Sequence, residues 1–292
     1  MDTHEITDET HWEELADTVD APLSQRWLYG EAAKRIGRDA RRFVISDCRT
    51  PLALAQVLLR PAFGTEISVT FRGPLFLTPH PDKAVERAVV QSLRAALPFG
   101  LKLMSPDSRL PGTLGRLGLT PAPEVVELDL RPPLSDMRLS LNGKWRNALK
   151  KAEKSDLHVT RLAPSPSVLR PYLLLEKHQQ TQRHYRGLPP EFALTLQDVA
   201  PKSLRLFEVD DAFMLFILHG TSATYQIGHT GPRGRAVNAH NLILWEAIKR
   251  LKLEGVRRLD LGTIDTRRAP DLARFKLRTG ATARVLSPAA LM

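Results

Sequence analysis

Apolar residues recur along this chain with two periods, and the switches between them divide it into short segments. Helical spacing marks THWEELADTV (10–19), LSQRWLYGEAAKRIG (23–37), PDKAVERAVVQSLRAAL (81–97) and SRLPGTLGRLG (108–118). Alternating or continuous apolar runs mark strands at ARRFVIS (40–46), PLALAQVLLR (51–60), EISVTFRG (66–73), GLKLMS (100–105) and EVVELDL (124–130). Beyond Arg131-Pro132-Pro133, where a proline pair can continue neither a helix nor a central strand, the order is much the same. A charged amphipathic helix (140–156) and a strand (157–162) lead into helices at 165–185 and 190–200. Strands at 203–209, 212–220 and 222–230 precede a long helix (236–255), a strand (256–262), a short helix (269–280) and a closing strand (281–287). The pattern predicts an α/β protein with mixed α+β sheets, built from one unit used twice, 1–133 and 134–292.

Composition narrows the class. Over 292 residues, 42% are hydrophobic and 25% charged, the makeup of a soluble globular protein. No run approaches the ~20 apolar residues of a membrane span, so no stable membrane insertion is expected. The acidic, polar start MDTHEITDETHWEELADTVD is unlike a secretory signal, and a cytoplasmic location is expected. A single cysteine, Cys48, excludes an internal disulfide, and nine scattered histidines lack paired ligand spacing, so no metal is expected. HExxH, P-loop and GxSxG motifs are absent, which removes the usual support for zinc protease, nucleotide hydrolase and serine hydrolase chemistry. The formal net charge of +10 points to a polyanionic partner: nucleic acid, phosphorylated metabolite or anionic lipid.

The element order, with WRNALKKAEKSDLHV (145–159), HQQTQRHYRGLPPEF (178–192), residues 225–262 and APDLARFKLRTGA (269–281), resembles two tandem GNAT-like acyltransferase domains, the arrangement of the FemAB family of aminoacyl-tRNA-dependent transferases. LSQRWLYGEA (23–32) and RGPLF (72–76) are similar to family signatures in the first half. The resemblance implies an acyltransferase that moves an aminoacyl or other acyl group from an activated carrier to an amine, with the acceptor in a groove between domains. It implies no tightly bound cofactor. The co-substrate would be aminoacyl-tRNA, with acyl-coenzyme A or an acylated carrier protein as the alternative. The acceptor would be a peptidoglycan precursor or another amine-bearing small molecule or peptide. A non-catalytic binding module on the same fold is a further alternative.

The resemblance also assigns residues. Lys276 would stabilise the developing oxyanion, and Phe275 would wall the pocket or stack on the donor. Arg183, whose guanidinium can bind phosphate or carboxylate through two bonds, would grip an acidic acceptor, with His184, Tyr185 and Arg186 at the same helix end. Tyr225 matches an aromatic of the acceptor groove, although Ile227 stands where a second aromatic is usual. Asn238 and His240 open the long helix and would face the cleft, and Asp260 would orient a neighbouring cation or bind substrate. In GPRGRA (231–236), Gly234 with Arg233 and Arg235 would meet phosphate at a helix start, yet Gly231 replaces the Arg or Gln usual in coenzyme A-binding loops. Lys144, Asn147, Lys151 and Lys154 share one helix face opposite Trp145, Leu149 and Ala152, a solvated face or a track for tRNA phosphates.

Overall fold

The structure, a computed structural model, describes residues 1–292 apart from Phe63, residues 117–121, His184 and Arg186. The chain forms two compact units, Met1–Pro123 with Val285–Met292, and Glu124–Arg284.

The first unit contains β1 (Asp2–Glu5), α1 (Glu9–Thr18), α2 (Trp27–Arg35), β2 (Asp39–Asp47), β3 (Thr50–Ala62), β4 (Thr65–Phe71), β5 (Leu75–Phe76), α3 (Lys83–Ala96), β6 (Gly100–Ser105) and β7 (Leu114–Arg116). The second contains β8 (Glu124–Asp129), α4 (Leu134–Ser140), α5 (Gly143–Glu153), β9 (Thr160–Leu162), α6 (Pro166–Arg183), α7 (Glu191–Val199), β10 (Leu204–Val209), β11 (Ala212–His219) and β12 (Ser222–Thr230). It continues with α8 (Pro232–Ala236), α9 (Ala239–Leu253), β13 (Arg258–Ile264), α10 (Pro270–Leu277) and β14 (Thr282–Val285). A last strand, β15 (Ala290–Leu291), returns to the first unit.

Two mixed sheets result, in the orders β1-β2-β3-β4-β6-β15-β7 and β14-β8-β13-β12-β11-β10-β9, with β5 paired to β3. β8, which the pattern places as the closing strand of the first unit, instead lies between β13 and β14 of the second sheet. Burial explains the placement: Val126 and Leu128 sit in the second unit's core with Leu259 and Leu261. The chain's end compensates in the first sheet, where β15 pairs with β6 and β7, and Met292 packs into the first unit's core. The division observed therefore differs from 1–133 and 134–292 at both the linker and the tail.

Local chemistry accounts for most other elements. Asp8 caps α1 by accepting the His11 N–H at 2.7 Å. β11, AFMLFILH, is apolar at nearly every position because it is central, with β10 and β12 on either side. The expected helix at 108–118 does not form in its described part: Gly112 takes φ +88°, and Leu114–Arg116 is a strand. The helix expected at 236–255 is broken at Asn238, whose φ of 59° separates α8 from α9. Among the described residues no helix is long and apolar enough to cross a membrane.

Candidate functional site: a strand splay holding a buried lysine

In the second unit, β12 and β13 are parallel and pair only from Ser222–Thr224 to Arg258–Asp260. Both become irregular just beyond. The pairing with β11 passes from Phe216↔Tyr225 to Leu215↔Ile227, leaving Gln226 as the extra residue of a bulge. On β13 the pairing with β8 steps from Asp260↔Glu127 to Thr263↔Val125, and within it Gly262 takes φ +77°, a conformation that costs glycine little. Asp260 braces this bend, its Oδ1 accepting the Gly262 N–H at 2.7 Å.

Lys276 projects from α10 to this point. It is 5% exposed, and its Nζ donates to the Thr263 carbonyl at 3.0 Å and stands 5.7 Å from the centre of the Tyr225 ring. Burial pushes its pKa down to about 8, against the pull of the Asp260 carboxylate, which favours the charged form. At neutral pH the side chain is mainly an ammonium in a poorly solvated place, where its field on a nearby developing charge is strong. Phe275, next in sequence, turns elsewhere: its ring packs 6.0 Å from Trp145 and 6.1 Å from His240. The Nε2 of His240 lies 2.7 Å from the His229 carbonyl, and since a carbonyl only accepts, Nε2 carries the proton. Burial pushes the His240 imidazolium down to about 4, so the ring is neutral at pH 7. Asn238 makes no capping bond and marks the helix break.

Tyr185 belongs to a network anchored on a carboxylate that no motif marks. Glu176, 5% exposed, accepts the Tyr185 O–H at 2.7 Å and the Gln180 amide at 2.9 Å. Gln179 donates toward the Tyr185 hydroxyl at 3.1 Å and the Gly228 carbonyl at 3.3 Å, tying α6 to the bulged part of β12. Burial, with Glu176 nearby, raises the phenol pKa of both Tyr185 and Tyr225 and keeps them neutral. A Cβ on Gly228 would come within 2.0 Å of the Tyr225 hydroxyl, so only glycine leaves room for that ring. The sequence does carry a signal for Glu176: it follows Leu169 and Leu173 at helical spacing, an acid on the buried face of α6.

An open cleft of about 440 Å³ lies beside the splay, lined by Gln179, Gln182 and Arg183 of α6, His229 and Thr230 of β12, and Arg235 of α8, among others. Arg183 and Arg235, expected to bind acceptor and donor phosphate separately, thus border one space. Burial, with Arg183 and Arg235 close by, lowers the His229 pKa. His184 and Arg186 lie outside the described residues.

The expected phosphate cradle is already filled. Asp211 accepts the backbone N–H of Gly234 at 2.6 Å through Oδ1 and that of Arg233 at 3.1 Å through Oδ2. A Cβ on Gly231 would lie 2.0 Å from Asp211 Oδ2, so this glycine admits the protein's own carboxylate. Arg233 pairs with Asp210 at 2.9 Å, and Arg235 donates to the Thr230 carbonyl at 2.5 Å. The N–H groups of Arg233 and Gly234 are thus engaged by an internal carboxylate in this structure, while Arg235 lies on the cleft.

Residues 140–276 match the family model described as an acetyltransferase (GNAT) domain, the span that holds the splay, Lys276 and the cleft. The second unit thus carries a stretch that matches a GNAT acetyltransferase domain, and the fold of the chain is that of tandem GNAT structures. Over the whole chain the fold is similar to that of FemX, with a TM-score of 0.79 at 13% identity, covering 100% of this chain and 97% of that one. It is also similar to a tandem GNAT protein from the clavulanic acid biosynthesis pathway, at TM-score 0.53 and 9% identity over 99% of this chain and 98% of that one. A third likeness is the C-terminal domain of a putative lysylphosphatidylglycerol synthetase from Agrobacterium fabrum, at TM-score 0.53 and 13% identity over 97% of this chain and 92% of that domain. No curated protein matches the sequence.

Proposed function

We propose that the chain is an aminoacyltransferase that moves an aminoacyl group from aminoacyl-tRNA to the amine of an acceptor carrying a carboxylate or phosphate, such as a peptidoglycan precursor. The observation that carries the reading is the buried Lys276 ammonium beside a strand splay. The acceptor amine attacks the ester carbonyl, a C–N bond forms, the C–O bond to the ribose breaks, and the amine's proton ends on the departing hydroxyl. Lys276 stabilises the oxyanion of the tetrahedral intermediate, so neither a covalent enzyme intermediate nor a nucleophile triad is required. Arg183 and Arg235 hold the acceptor's anionic group in the cleft.

Asp211 favours this donor over acyl-coenzyme A. A pyrophosphate approaching α8 meets a carboxylate already bonded to the N–H groups it needs, and displacing bonds to a charged group costs about 1.5–3 kcal/mol each. FemX and the lysylphosphatidylglycerol synthetase domain, both similar in fold, lend support by their names. The test is transfer of a radiolabelled group from charged tRNA and, in parallel, from acetyl-coenzyme A. Label reaching an amine from tRNA and not from coenzyme A is the expected result. Transfer from coenzyme A alone rejects the donor assignment, and transfer from neither rejects the catalytic reading in favour of a binding module.

A further inference from the structure

Several cations of the second unit are neutralised: Arg138 pairs with Glu153, Arg161 and Arg205 with Glu254, Arg233 with Asp210, Lys249 with Glu246, and Arg274 with Asp271. On α5 and its C-cap, Lys144, Lys150, Lys151 and Lys154 are all exposed and, among the described residues, make no ion pair. Arg267 and Arg268 before α10 are exposed too, their backbone N–H groups donating to Asp265 at 2.9 and 2.8 Å. Four like charges close together along one helix keep a field there at a cost in self-repulsion.

The region borders the reaction site. Trp145 turns from the buried face of α5 onto Phe275 at 6.0 Å, and the Asn142 N–H at the start of α5 donates to the Arg278 carbonyl at the end of α10 at 3.0 Å. α10 carries Lys276, so it lies between the lysines of α5 and the arginines that precede it. Lys144, Lys151 and Lys154 lie opposite Trp145, Leu149 and Ala152, which pack into the core. At a rise of about 1.5 Å per residue, the track from Lys144 to Lys154 is about 15 Å long, enough to follow several consecutive phosphates.

We infer that α5 and the turn before α10 form the surface on which the RNA body of the donor docks, with Lys144, Lys150, Lys151 and Lys154 tracking its phosphates while the esterified 3′ end reaches Lys276. The inference rests on the aminoacyl-tRNA reading above. An RNA backbone suits the feature better than a membrane, because the face is a line of charge on a helix whose apolar side chains are turned into the core.

The test compares the full chain with the combined variant Lys144→Ala, Lys151→Ala, Lys154→Ala, and with Lys83→Ala in the first unit as a control. Binding of deacylated tRNA is measured by filter retention across a salt series. Each lost phosphate contact lowers the slope of log K against log salt by about 0.7–0.9, so the triple variant is expected to lose about 2–3 from the slope. Its affinity is expected to fall at least about tenfold, with the control unchanged. In transfer assays KM for charged tRNA rises accordingly, whereas turnover of 3′-O-aminoacyl adenosine, which lacks the RNA body, stays at the wild-type level. Unchanged tRNA binding in the triple variant overturns the inference, as does wild-type binding to vesicles containing phosphatidylglycerol with none to tRNA. If 3′-O-aminoacyl adenosine is used but tRNA binding ignores the lysines, the surface is wrong and the reaction stands. If no aminoacyl ester is used at all, the reaction itself is wrong.

Discussion

Asp211 and Gly234 are joined by a hydrogen bond of 2.6 Å from the backbone N–H of the glycine to the carboxylate, across a gap of 23 residues in sequence. The same carboxylate holds Arg233 N, so the turn between β10 and β11 closes the start of α8. Asp211→Ala leaves two backbone donors without that partner and is expected to destabilise the protein by about 2 kcal/mol. Denaturant unfolding measures the loss. A variant as stable as the wild type shows that solvent replaces the carboxylate without cost.

Lys276→Ala is expected to lower kcat by about a hundredfold, the scale of one oxyanion stabiliser, with little change in unfolding midpoint because the lost group is a costly buried charge. Steady-state kinetics and denaturation on the same preparation separate the two effects. Wild-type turnover in this variant removes Lys276 from the mechanism.

The pKa of Lys276 sets two opposite trends with pH. The active form is the ammonium, so kcat is expected to decline as pH rises through about 8. Folding behaves the other way. The folded-state value lies below the ordinary ~10.4 of an unfolded lysine, so the unfolded chain binds more protons between the two values. This group's contribution therefore favours the folded state increasingly from about pH 8 upward and is lost as pH falls back through about 8. A pH–rate profile and unfolding at a series of pH values read both, and a rate that is flat across about pH 7–9 contradicts the assignment.

Asp260 is expected to act on that lysine. Its carboxylate braces the Gly262 bend and favours the charged amine, so Asp260→Asn is expected to move the alkaline limb of the profile below about pH 8 while leaving KM near wild type. A rise in KM with an unmoved limb would instead mark Asp260 as a substrate contact.

Glu176 holds Tyr185 and Gln180 from the buried side of α6. Glu176→Ala strands the amide and hydroxyl donors and is expected to cost about 2 kcal/mol in stability and to raise the acceptor KM, since α6 also carries Arg183. Glu176→Gln, which retains an acceptor oxygen, is expected to recover most of both. Failure of Gln to restore KM while restoring stability shows that the negative charge itself matters for binding.

Much of the second unit is legible in the sequence, and the reason is local. The apolar run of β11, the amphipathic α5 and the helix bearing Phe275-Lys276 are each decided by residues a few positions apart. GPRGRA reads equally well as an anion cradle, because glycines before a helix start are what such a cradle requires. Its actual partner, Asp211, is remote in sequence and becomes visible only when β11 and β12 pair. Glu176 is hidden for a related reason: one acid at an apolar position in a helix is a weak signal until its three donors surround it.

Periodicity alone establishes the order of most helices and strands, the α/β class, the duplicated plan and the basic face of α5, since it reports which side of each segment avoids water. Which sheet β8 and the chain's end join is settled only by tertiary structure, because a strand's alternation says that one face must be buried and not against what. Tertiary contacts also turn the candidate phosphate loop into a closed helix start and bring Arg183 and Arg235 to one cleft. Those outcomes depend on distances between residues far apart in the chain, and such distances exist only once the sheets have formed.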